Sequence, residues 1–143
     1  MEGVALRDAV FVDTSGWYAL ADPGDAEHPA AVRRFRRLGA LRRLPVTTNQ
    51  VVGESYTLLR TRLGFRPAHE LLVRMRRTSF VHRVFVPETW EEEAERLLKQ
   101  YDDQVFSYVD ATSFVTMRRL GIQQAFAFDR DFLIAGFTLL GDE

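Results

Sequence analysis

The chain has 143 residues, 46% apolar and 27% charged, with a net charge of −1. That is an ordinary globular composition which argues against disorder, and the charge gives no whole-molecule attraction to nucleic acid. No apolar run approaches the ~18 residues of a membrane span, the opening MEGVALRDAV lacks the basic start and apolar stretch of a secretory signal, and the absence of cysteine removes disulfides, thiolate zinc sites and cysteine nucleophiles.

The lack of cysteine fits a cytoplasmic protein. The length suits one domain, residues 1–143, with a core of its own. Charge is divided unevenly: residues 1–83 hold 14 Arg against 8 acids, and residues 84–143 hold 5 basic residues against 12 acids. A folded domain can therefore carry a basic face and an acidic one, although solvated helix surfaces account for the same asymmetry. No internal repeat, low-complexity tract or linker interrupts the chain.

Residues 9–12 read as the first strand, and Asp13 follows where a helix is about to begin. Residues 26–38, with Val32, Phe35 and Leu38 at helical spacing, predict a helix. Residues 44–48 read as a second strand. Asn49 is the expected N-cap of a helix over 50–62 that ends near Gly64. Residues 68–77 form a further helix with Pro67 at its start, and 81–86 a third strand. Thr89 and Glu92 have the spacing of a capping box, and Trp90, Ala94, Leu97, Leu98 and Tyr101 recur behind them at helical intervals. A helix over 108–120 stops at Gly121. Strands over 125–128 and 137–140 complete the pattern. Short, unbroken apolar strands alternating with helices predict an α/β fold with a mostly parallel sheet and helices on both faces. Ligands in such sheets bind outside the carboxyl ends of the strands.

Four acids fall at that edge. Asp13 follows the first strand and Asp129 the fourth. Glu54 lies about a turn and a half into the helix after the second strand, and Asp110 in the first turn of the helix before the fourth. Neighbouring parallel strands are ~4.8 Å apart, so the four carboxylates can meet within roughly a nanometre. Each also has a plain reading: Asp13 as an N-cap, Asp110 as the capping-box partner of Ser107, Glu54 on a solvated face, Asp129 opening a turn. Clustered carboxylates raise one another's pKa, and a hard divalent cation such as Mg²⁺ or Mn²⁺ relieves that repulsion. A cation held openly can activate water and polarise a phosphoryl oxygen, which is equipment for cutting a phosphodiester.

Taken together, FVDTSGWYALAD, NQVVGESYTLL, FSYVDATSFVTMRRLG and AFAFDRDF resemble the PIN domain, especially the VapC-like ribonucleases of toxin–antitoxin pairs. The likeness runs from about Val10 to Leu140. It implies a three-layer α/β/α sandwich around about five parallel strands, and a Mg²⁺- or Mn²⁺-dependent endoribonuclease. It implies that Asp13, Glu54, Asp110 and Asp129 form the catalytic metal site. Thr14 or Ser15 matches the family's hydroxyl after the first acid, Asp131 is an auxiliary acid, and Thr112 is a candidate to reach a ligated water or a phosphate. The resemblance also implies an RNA substrate and a cognate antitoxin protein, and the apolar content suggests a homodimer. Arg33, Arg34, Arg36, Arg37, Arg42 and Arg43 are candidate phosphate contacts. His28 reads as loop-ordering, and Trp17 and Tyr18 as core or interface residues.

Three other readings stay open. One is a PIN-like RNA-processing nuclease outside toxin–antitoxin systems. Another is a phosphatase or phospho-acceptor domain using Asp13, although Ser15 stands where haloacid-dehalogenase-type phosphatases place a second aspartate. The last is a binding module whose acids only cap helices.

Overall fold

Val10–Val12 forms the first strand, β1, of the computed structural model, which describes residues 6–142. The outer limits of the 1–143 domain reading, and the first five residues of the stretch read for a signal, lie outside the described residues. All three β1 side chains are buried, as in a strand covered on both faces. Pro45–Thr48 (β2), His82–Val84 (β3), Gln124–Phe126 (β4) and Thr138–Leu139 (β5) follow in the expected order. Every pairing is parallel, and the sheet runs β3-β2-β1-β4-β5.

The helices are Thr14–Ala21 (α1), His28–Ala40 (α2), Asn49–Leu63 (α3), Phe65–Arg77 (α4), Glu88–Gln100 (α5), Tyr108–Leu120 (α6) and the short Asp131–Ile134 (α7). They complete a three-layer α/β/α sandwich. Helix α3 packs on α1 and α4, α2 packs on α1, and α5 lies along α6.

Each strand is shorter than the apolar run that predicts it, and beyond β3 and β4 backbone N–H groups bond to side chains elsewhere. The Val86 N–H donates to Asn49 Oδ1 at 2.9 Å, and the Phe128 N–H to Ser15 Oγ at 2.9 Å. Two predicted caps are corrected for related reasons. Asn49 is spent on Val86, and the N-cap of α3 is Thr48, whose hydroxyl accepts from the Val51 N–H at 3.1 Å. Pro87 is the N-cap of α5, so Thr89 already lies inside the helix and makes no capping bond. Pro67 falls in the first turn of α4, where its missing N–H costs nothing. Gly121 caps α6 in the left-handed conformation, φ 74° and ψ 24°, as expected.

Two packing features set the position of the acids. Phe132, on α7, is fully buried against Phe11 and Phe114, with ring centroids 6.2 and 5.0 Å away. It fixes the segment that carries Asp129 and Asp131. Gly16 lets α1 lie directly on β4: a Cβ there would stand 2.7 Å from the Phe126 carbonyl oxygen and 2.9 Å from its ring. Gly16→Ala must push α1 off the sheet. The expected loss is about 1–3 kcal/mol in urea unfolding, with a parallel loss of any activity that needs Asp13 beside Asp129.

The strand order contains a switch point. From β1 the chain steps to β2 and β3 on one side, then returns to β4 and β5 on the other. The crevice therefore opens at the carboxyl ends of β1 and β4.

Candidate active site

Asp13 and Asp129 stand on either side of that crevice. Asp13 is the residue after β1, and its N–H donates to the Phe126 carbonyl at the end of β4 at 3.1 Å. It is also the N-cap of α1: Oδ2 accepts from the Ser15 N–H at 3.4 Å and from Ser15 Oγ at 3.2 Å. The capping reading is thus correct, but it uses one oxygen only. Asp13 is 3% exposed, and its Oδ1 is buried with no hydrogen-bond partner among the described residues. An orphaned carboxylate oxygen is costly unless a cation or water satisfies it.

The other acids reach the same place from different elements. Thr14 Oγ1 donates to Glu54 Oε1 at 2.6 Å and so joins the start of α1 to α3. Asp110 forms a complete capping box with Ser107: the Ser107 N–H donates to Asp110 Oδ2 at 3.0 Å, and the Asp110 N–H to Ser107 Oγ at 2.9 Å. Asp129 Oδ1 accepts from the Asp131 N–H at 3.1 Å, which turns the chain into α7. All five acids line one hollow of about 430 Å³.

Electrostatics in the hollow follow from this crowding. Burial pushes the Asp13 carboxyl up to about 8, helped by the Asp129 and then the Asp110 carboxylates, against the N–H groups of Thr14 and Ser15. Asp110 is pushed up to about 6, first by burial and also by Asp131 and Asp129, against its bonds from Ser107. Asp129 is raised by burial first, with Asp131 and Glu54 adding. The site resists carrying its full negative charge unless something cationic shares it.

The donor set is hard oxygen, which suits Mg²⁺ or Mn²⁺, and the buried Asp13 Oδ1 has no hydrogen-bond partner among the described residues. Among the described residues no three His, Asp or Glu side chains are drawn together into a ready ligand cluster. An open arrangement of this kind fits Mg²⁺, which binds through one or two carboxylates and keeps several waters.

Residues 10–137 match the profile of the PIN domain. The chain belongs to the PIN domain family. Over 129 residues this PIN domain is 44% identical to the 23S rRNA-specific endonuclease VapC20 of Mycobacterium tuberculosis, in the sequences of both the CDC 1551 / Oshkosh and H37Rv strains, across 90% of this chain and 95% of that protein. A crystal structure of M. tuberculosis VapC20, titled a sarcin–ricin loop cleaving toxin, shares its fold with a TM-score of 0.82 and 43% identity, across 91% of this chain and 97% of its own. Family membership displaces the phosphatase and phospho-acceptor readings of Asp13.

The PIN domain brings most of the anticipated residues together. Asp13, Thr14, Ser15, Glu54, Asp110, Asp129 and Asp131 all line the hollow. Ser15 does more than its position in the sequence foretells: its hydroxyl donates to Asp13 and accepts from the Phe128 N–H, so it braces both sides of the crevice. Thr112 is a correction. It is fully buried, it hydrogen-bonds to Gln50 Oε1 at 2.9 Å, and it does not line the hollow.

The six candidate arginines lie on or just after α2, and none lines the hollow. Arg33 and Arg34 pair with Asp142 at 3.3 and 3.2 Å. Arg43 donates to the Asp8 carbonyl at 2.9 Å, while Arg36, Arg37 and Arg42 are exposed. Only Arg34 comes near, stacked over Phe128 at 5.3 Å from the ring centroid. Trp17 is a core residue, with Nε1 donating to Thr47 Oγ1 at 3.2 Å. His28 Nδ1 lies 2.7 Å from the Ala19 carbonyl, in keeping with a loop-ordering role. The residue that the arginine pattern missed is Arg62, which does line the hollow.

Proposed function

We propose that this PIN domain is a metal-dependent endoribonuclease that hydrolyses RNA phosphodiester bonds and serves as the toxin of a type II toxin–antitoxin pair. The observation that carries the reading is the convergence of Asp13, Glu54, Asp110 and Asp129 on one hollow at the β1/β4 switch point. The 44% identity to a 23S rRNA-specific endonuclease makes 23S rRNA the proposed substrate.

Asp13, Asp110 and Asp129 are the proposed holders of Mg²⁺ or Mn²⁺, with Glu54 a direct or water-mediated ligand. A divalent cation bound there supplies a water of lowered pKa and neutralises charge on the phosphoryl oxygens. The protein's part is to fix geometry. Ser15 holds Asp13 Oδ2 in place and leaves Oδ1 without a hydrogen-bond partner among the described residues. The Thr14 hydroxyl fixes Glu54, and the Ser107 capping box fixes Asp110. Hydrolysis then adds water across the P–O3′ bond and leaves a 3′-hydroxyl and a 5′-phosphate. No histidine lines the hollow, which favours this route over attack by the RNA's own 2′-hydroxyl.

A cognate antitoxin protein is the proposed macromolecular partner. A homodimer is proposed from the apolar content of the chain, with the exposed Phe65 and Phe85 as candidate contact residues. No helix among the described residues is long and apolar enough to cross a membrane, and the proposed action on ribosomal RNA supports a cytoplasmic location.

The test is incubation of the purified protein with ribosomes and with total RNA, in Mg²⁺ or Mn²⁺ and in EDTA, followed by mapping of fragment ends. The expected result is discrete 23S rRNA fragments bearing 5′-phosphates, absent in EDTA and restored by the metal. Undiminished cleavage in EDTA, or intact RNA in every condition, would overturn the proposal.

A further inference from the structure

Among the described residues, seven acidic side chains line the hollow, and Arg62 is the one cation among them. The expected fate of an arginine in such company is an ion pair. Yet Arg62 is exposed and makes no salt bridge with any described residue. Its guanidinium instead lies over the Tyr18 ring, 5.0 Å from the centroid.

That ring is itself fixed. Tyr18 is buried, and its hydroxyl donates to Asp22 Oδ2 at 2.6 Å, while Asp22 Oδ1 accepts from the Gly24 N–H at 2.9 Å. Asp22, whose carboxyl is held below its usual range first by the Tyr18 hydroxyl and also by the charge of Arg62, forms no salt bridge with it. A cation held on an aromatic face keeps its fork of N–H donors available for a planar or tetrahedral anion.

Position along α3 tells where that fork works. Glu54, Leu58 and Arg62 all line the hollow, at the i, i+4, i+8 spacing of one helix face. At 1.5 Å per residue, Arg62 stands about 12 Å along the axis from Glu54. Helical side chains lean toward the helix N-terminus, so the guanidinium is carried back toward the acids. A polyanion approaching this hollow is repelled by the carboxylates and attracted at one fixed point on the rim.

We propose that Arg62, held over Tyr18, binds the RNA phosphate adjacent to the scissile one and so positions the strand over the acids. The proposal rests on the ribonuclease reading above and names a substrate contact within it. It also accounts for an exposed arginine in an acidic setting that forms no salt bridge with a described residue.

The experiment uses the full chain with Arg62→Gln and Arg62→Lys, a short single-stranded RNA carrying the mapped cleavage site, and Mg²⁺. Steady-state cleavage is measured first. Binding of the uncut RNA is then titrated over a range of salt, in an Asp129→Asn background. Arg62→Gln is expected to raise KM on the order of tenfold with kcat within about twofold of wild type. Losing one phosphate contact on a single strand flattens the slope of log K against log salt by about 0.7. Arg62→Lys is expected to restore most of the salt slope while leaving KM raised, because a point charge replaces a stacked fork. An active wild type whose Arg62→Gln variant keeps both KM and slope overturns the Arg62 contact alone. Loss of kcat and thermal stability with unchanged KM overturns it equally. A wild type that cuts no RNA overturns the ribonuclease reading itself.

Discussion

Asp13→Asn is expected to abolish RNA cleavage and, in the cation-free protein at pH 8, to raise stability. The two effects have opposite signs because one carboxyl serves two ends. In the free protein Asp13 is nearly wholly buried, its Oδ1 has no partner, and burial together with Asp129 holds its pKa near 8. At pH 8 folding must therefore keep a reluctant charge next to other carboxylates. Asparagine keeps an acceptor for the Ser15 N–H and hydroxyl, so the α1 cap survives, and it removes the charge. Removing that buried, crowded charge is worth about 1–3 kcal/mol, read as a higher urea midpoint in EDTA. The same change removes a proposed ligand, and cleavage should fall at least about 100-fold. Asp129→Asn should behave alike in cleavage. Wild-type activity in either variant, with the fold intact, would end the four-acid model.

The fold was legible because its signals are redundant. Five short apolar runs, each followed or preceded by helical spacing, leave few options other than a parallel sheet with helices on both faces. The acids were legible for a related reason: a residue placed just after a strand is placed at a sheet edge, whatever its side chain does. Asp13 and Asp129 needed nothing more. Glu54 needed only the helical period, which turns position 54 toward the strand ends.

What the sequence hid were choices made by tertiary contacts. Asn49 is a good N-cap by type, but the Val86 N–H claims it and Thr48 takes the cap. Thr112 carries the right chemistry and sits two residues from Asp110. One helical step of two residues nevertheless turns it into the core against Gln50. Arginine density drew attention to residues 33–43, where Asp142, far along the sequence, captures two of them. Arg62 shares the last turn of α3 with Arg60, where a basic residue reads as a complement to the helix dipole. The signal that could have found it was present: Glu54, Leu58 and Arg62 share one face.

Stability of the cation-free protein is expected to fall as pH rises from about 4 to 8, opposite to the usual behaviour of paired carboxylates. Asp13 and Asp110 have folded-state values of about 8 and about 6 against an ordinary value of 3.8. Between those limits the native state binds more protons than the unfolded chain, so stability declines with pH. The contribution of both groups is complete below about pH 4. Asp110 has lost its share by about pH 6, and Asp13 loses its share up to about pH 8. Mg²⁺ or Mn²⁺ should reverse the trend, because a bound cation favours the ionised forms and must displace protons to enter. At a concentration of 100 times Kd the cation adds about 2.7 kcal/mol, roughly 10 °C in Tm for a chain of this size. The gain should be largest at pH 8, where the fewest protons remain to displace, and small at pH 5. Thermal unfolding at pH 5, 6, 7 and 8, in EDTA and in Mn²⁺, measures both slopes. Calorimetric titration in buffers of different ionisation enthalpy counts the protons released near pH 6–7. A flat Tm in EDTA across this range, or an equal cation effect at pH 5 and pH 8, would mean that the carboxylates in the hollow are neither crowded nor joined by the metal.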